Sequence, residues 1–94
     1  MTPKFELIEK ENIDTLKFPP HEVLIDIVLI NERSLELGRA LSLGNLEHSK
    51  IKIYFEDDQT CKCVETTVWG VTDKRVILKQ GVVIPINRIH KISL

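Results

Sequence analysis

At residue 50 the apolar residues of this chain change from a helical to a two-residue spacing, and that switch limits the fold to a helix followed by bent strands. Downstream, Ile51, Ile53 and Phe55 alternate with Lys52, Tyr54 and Glu56, the pattern of a half-buried strand. Asp57-Asp58-Gln59-Thr60 reads as a turn rather than a carboxylate dyad, and Cys61 through Val71 as one long β-rich stretch with a bend or bulge at Gly70. Arg75 to Lys79 returns the chain. Gln80-Gly81 then makes a tight hairpin into Val82 to Ile86, where Pro85 marks a strand end or sheet edge. Asn87-Arg88-Ile89 is a single helical turn, and His90 to Leu94 a last short strand.

Upstream of the switch, Val23, Ile27, Ile30, Ser34, Leu37 and Leu41 are spaced 4-3-4-3-4, which keeps them on one helical stripe. Pro20 suits a first helical position, and Gly44-Asn45 supplies a stop. Helix is expected over residues 21–45. The β-branched run Val23 to Ile30 leaves open a buried strand followed by a helix capped at Asn31. Residues 1–20 read as an irregular arm with enough apolar weight to lie on the domain, and Phe5, Leu7 and Glu9 alternate like a short strand.

Ninety-four residues make one domain, 1–94, and 43% hydrophobic with 29% charged residues is a globular balance. Apolar runs are too short to span a bilayer, and the start lacks the pattern of a secretion signal. Two cysteines make no disulfide framework, so a reducing cytoplasm is expected. The net charge of −1 is unevenly distributed: residues 1–49 carry five Lys/Arg against nine Asp/Glu, and residues 50–94 carry eight against five. An acidic front and a mildly basic back bear on how the chain meets partners.

The expected architecture is α+β: an N-terminal helical segment followed by a five-stranded, strongly bent antiparallel small barrel. Residues 34–94 resemble the SH3-like and Sm-like small barrels, whose last two strands are joined by a short 3₁₀ turn. Ser34 to Leu41 leading into Lys50 to Asp58, with the ending Ile84-Pro85-Ile86-Asn87-Arg88-Ile89, is similar to the Rho-binding antiterminator family. That resemblance implies a module that docks on the transcription or RNA machinery. Val71 to Leu78 and Val83 to Ile89 also look like bacterial PH-like interaction domains, which have more strands and finish with a helix.

No nucleophile motif, phosphate-cradling glycine loop or helical pair of metal-binding histidines is present, so a non-enzymatic module without a cofactor is expected. Lys50, Lys52, Lys62, Arg75, Lys79 and Arg88, with an outward Tyr54 between them, are the candidate face for RNA or a protein partner. The same lysines on a solvated sheet edge would only discourage strand pairing. The stripe Val23, Ile27, Ile30, Leu37 and Leu41 is the candidate for self-association into a homodimer. Cys61 and Cys63 share one side of a strand, but His21, His48 and His90 are scattered, so no metal site is expected. His90 is read as a structural histidine and Trp69 as core.

Overall fold

The computed structural model describes residues 4–94. Among them one long helix lies against two small sheets, an α+β architecture. The first sheet has the order β1-β3-β2-β7, with β1 Glu6–Ile8, β2 Ile51–Glu56, β3 Cys61–Thr66 and β7 Ile89–Ser93. The second has β4 Val68–Val71, β5 Arg75–Leu78 and β6 Val83–Pro85 in the order β4-β5-β6. A six-residue 3₁₀ segment, Lys10–Thr15, follows β1, and a single 3₁₀ turn, Ile86–Arg88, precedes β7.

The alternation expected after residue 50 is present: Ile51, Ile53 and Phe55 are buried while Lys52 is exposed. They meet Val64, Val68, Val76, Leu78, Ile84 and Ile89 in one core, completed by Leu37 and Ala40 of the helix and Ile13 of the N-terminal arm. Each such aliphatic or aromatic side chain gains about 1.5–3 kcal/mol from leaving water.

A closed barrel of five strands is not what forms. Seven strands are found among the described residues, and no ladder joins the two sheets. The stretch Cys61 to Val71 divides at Thr67: its first half pairs with β2 and its second with β5. The Thr67 carbonyl accepts from Lys79 N–H at 3.0 Å, tying that break to the hairpin beyond β5. Two features work against closure. The short strand expected from Phe5, Leu7 and Glu9 forms as β1 and adds in parallel to the edge of β3. At the other end Pro85 has no N–H to give, and the β5–β6 ladder stops opposite it.

The helix α1 spans Ile27–Glu47, so residues 21–26 lie outside it. Asp26 is the N-cap, its carboxylate accepting from Val28 N–H at 2.9 Å. Gly44 does not end the helix, which runs on to a left-handed cap at His48 (φ 54°). Instead Gly44 lets α1 approach β4 closely, because a Cβ there would overlap the Val68 carbonyl oxygen. The hairpin turn after β5 is formed as expected, with Gln80 and Gly81 both at positive φ (68° and 84°).

Trp69 is not core: it is 51% exposed. Val68 pairs with Leu78 and Gly70 with Ile77, so Trp69 is the extra residue of a bulge and turns outward.

Candidate functional site

The loop before α1 is held from several directions. Val23 N–H donates to Asn87 O at 2.9 Å, and Arg88 Nη1 donates to His21 O at 3.0 Å. Arg33, the seventh residue of the helix and 5% exposed, donates through Nη1 and Nη2 to the two carboxylate oxygens of Glu22 at 2.7 and 2.6 Å. Nη1 also donates to Ile89 O at 2.9 Å, so one guanidinium clamps the loop, the helix and β7 together. The guanidinium beside Glu22 holds that carboxyl below its usual range against a smaller opposing effect of burial.

The clamp fixes what lies beside it on the outside. Ile25, Ile27, Val28 and Leu29 are 99%, 65%, 57% and 46% exposed. Leu35, two turns along the helix, is exposed as well. Leu29, Glu32 and Glu36 of α1 face Lys91 and Leu94 across a groove of about 400 Å³. Around this patch Asp26 and Glu32 form no ion pair among the described residues, whereas Glu36 has the Arg39 guanidinium at 3.6 Å.

A second constellation lies on the outward face of the first sheet, where Glu56 and Cys61 are register partners. The β2–β7 ladder pairs Tyr54 with Lys91 and Phe55 with Ile89, leaving His90 as an extra residue. That irregularity aims His90 at Glu56, with Nε2 3.0 Å from Oε1. Cys61 Sγ lies 3.6 Å from the same Oε1. Burial, then the neighbouring Glu56, pushes the Cys61 thiol up from its ordinary value, and burial does the same to Cys63. Phe5 stands edge-on to both His90 and Tyr54, at 5.5 and 5.1 Å between ring centroids.

No protein-family model matches the chain, and no curated protein or solved structure does.

The residues expected to form a basic face do not converge. Lys62 is buried and donates to Asp57 Oδ2 at 2.9 Å and to Thr60 Oγ1 at 2.6 Å. Arg88, also buried, serves the carbonyls of Glu56, Asp57 and His21. Lys50 and Lys52 are exposed at β2, whereas Arg75 and Lys79 belong to the other sheet's hairpin. Tyr54 is half-buried, with the Lys91 ammonium already over its ring at 4.9 Å.

The self-association stripe is likewise divided. Leu37 and Leu41 pack into the chain's own core, Val23 precedes the helix and is half-buried, and only Ile27 of the five is fully outside, Ile30 being half-buried. The exposed aliphatic residues are therefore mostly others: Ile25, Val28, Leu29 and Leu35. A cap signal, Asp26 before Ile27, was present in the sequence to place them, hidden within a β-branched run. Glu22, Arg33 and Glu56 carried no comparable signal, since their partners are 11 to 56 residues away.

Proposed function

We propose that this chain is a non-enzymatic docking module whose partner is a protein segment with an apolar face and basic flanks. One observation carries the reading: four of the five residues from Ile25 to Leu29 are aliphatic and exposed at the tip of a clamped helix. An exposed contiguous aliphatic patch with a polar rim marks an interaction surface. Asp26 and Glu32 at its border favour a cationic partner, and the same charges oppose a second copy set face to face. Base stacking on Tyr54 is disfavoured because Lys91 occupies its ring face, and the lysines that remain exposed are divided between two sheets.

Kinship with the SH3-like and Sm-like barrels is part of this proposal. Its support is the order from β2 to β7, in which one broken stretch serves both sheets and a 3₁₀ turn precedes the last strand. The missing closure and the added β1 weigh against a member of ordinary form. Docking on the transcription or RNA machinery belongs to that same kinship. A cytoplasmic setting is supported by two free cysteines, and no helix among the described residues is long and apolar enough to cross a membrane.

The test uses two synthetic amphipathic peptides with one shared apolar face, one flanked by lysines and the other by glutamates. Titration calorimetry should show the lysine peptide binding and the glutamate peptide failing to bind. A Val28→Asp/Leu29→Asp variant, altered only at exposed positions, should lose that binding while keeping its melting temperature. Equal binding of both peptides, or of neither, overturns the reading. A dimer by sedimentation that the same variant dissolves assigns the face to a second copy and overturns it too.

A further inference from the structure

We infer that Glu56, Cys61 and His90 form a zinc-binding site on the outward face of the first sheet. The three donor atoms come from three adjacent strands and all lie within 4.8 Å of one another. Thiolate, imidazole and carboxylate are the ordinary protein ligands of Zn²⁺, which takes them tetrahedrally at about 2.3, 2.0 and 2.1 Å. Those bond lengths put neighbouring ligand atoms about 3.3–3.6 Å apart around the metal. The observed Sγ–Oε1 separation is 3.6 Å and Nε2–Oε1 is 3.0 Å, with Sγ and Nε2 within 4.8 Å of each other, so the thiol and the imidazole close around Oε1 by side-chain rotation.

The surroundings of the three donors fit the same role. The irregular pairing between β2 and β7 takes His90 out of the regular ladder and brings its ring to Glu56. Arg88 Nη2 lies 3.6 Å from Glu56 Oε2, which leaves Oε1 for a metal and orients the carboxylate from behind. Phe5 packs edge-on against the His90 ring, at 5.5 Å between centroids. Cys61 also borders a shallow hollow with Phe5 and Thr60. On binding, a Zn–S bond replaces the S–H bond of Cys61 and the thiol proton passes to solvent. Cys63, two residues along the strand, is buried and outside the cluster.

Cobalt(II) reports this site directly, because a thiolate ligand gives it an intense near-ultraviolet charge-transfer band. Titration of the whole chain should raise that band to saturation at one equivalent, and one equivalent of zinc should abolish it. Cys61→Ser should remove the band and His90→Ala should weaken binding by more than about tenfold, whereas Cys63→Ser should leave both unchanged. Melting curves with and without zinc should show a metal-dependent rise in Tm in the native chain and in Cys63→Ser alone. Absence of the band at stoichiometric cobalt, or its survival in Cys61→Ser, overturns the assignment. Neither result depends on the peptide titration, so the docking reading and the metal site stand or fall separately.

Discussion

Glu56 and Asp57 are neighbours in the chain, yet they end β2 in opposite surroundings. Asp57 points inward and is 3% exposed, and its environment is closed. Oδ1 accepts from the N–H groups of Gln59 and Thr60 at 2.9 and 2.8 Å, and Oδ2 accepts from Lys62. Lys62 in turn has Thr60, so both charges are answered by the chain itself. Glu56 points outward and half-exposed, with a thiol, an imidazole and a guanidinium beside its carboxylate at 3.6, 3.0 and 3.6 Å. A polar cluster that satisfies itself serves the fold, because a buried charge left unpaired is costly. One whose donor atoms converge near solvent is where binding chemistry can occur.

The strongest way to break this comparison is Asp57→Ala. It leaves the Lys62 ammonium buried with a single hydroxyl and removes the acceptor of two turn N–H groups. Urea unfolding should show a loss of about 3–5 kcal/mol, the cost of stripping one partner from a buried pair. A loss below about 1 kcal/mol would place Asp57 among surface ion pairs and erase the distinction from Glu56.

Acid sharpens the same point. Burial by itself raises the Asp57 carboxyl, but the hydrogen bonds from Thr60, Lys62 and Gln59 together outweigh it and hold the group below its usual 3.8. Because the folded value lies below the unfolded one, the contribution is complete above about pH 4. It declines as pH falls through the folded value. Glu22, lowered by Arg33 from 4.5, acts in the same direction from slightly higher pH. Stability measured by urea should therefore fall as pH is taken from 5 towards 2, and less steeply in Asp57→Ala than in the native chain.

On the outward side, Phe5→Ala should cost about 1–2 kcal/mol, from two edge-to-face contacts and part of a ring's burial. Thermal melts would show it as a modest drop in Tm. A loss as large as that of Asp57→Ala would mean that Phe5 is as much a part of the core as Ile13 of the same arm, rather than a cover on the sheet.

How much of this was legible in the sequence depended on how local each cause is. Ile51, Ile53 and Phe55 declared their strand because alternation is written into consecutive residues. The Asp57 turn and the Gln80-Gly81 hairpin were legible for the same reason, as were the helical turn and the strand that close the chain. Gly44 was misread as a stop since a glycine looks alike at a helix end and at a close approach, and only the position of Val68 separates the two. Lys62 and Arg88 counted as surface charge until Asp57 and three distant carbonyls were seen to claim them. The short strand in the N-terminal arm was legible from the alternation of Phe5, Leu7 and Glu9, but not its parallel pairing with the edge of β3, which lies more than 50 residues on. The Glu56–Cys61–His90 cluster depends on a ladder irregularity between strands 34 residues apart, and such registers leave no mark on either strand alone.

The smallest effect tests the open side of the comparison most finely. Glu56→Gln keeps the shape of the side chain and removes its charge, while Arg88 retains three carbonyl acceptors. Stability should change by less than about 1 kcal/mol, as for other partly exposed ion pairs. Reactivity should move more. The Glu56 carboxylate is the second cause, after burial, of the raised Cys61 thiol, so its neutralisation lowers that thiol and increases the thiolate present at neutral pH. Alkylation by iodoacetamide, followed by mass spectrometry at Cys61, should be faster in Glu56→Gln than in the native chain. Cys63, raised by burial above all, should alkylate at its native rate in the same sample. Equal acceleration at both cysteines would mean that the sheet had loosened. A change confined to Cys61 shows that the carboxylate and the thiol share one small electrostatic site.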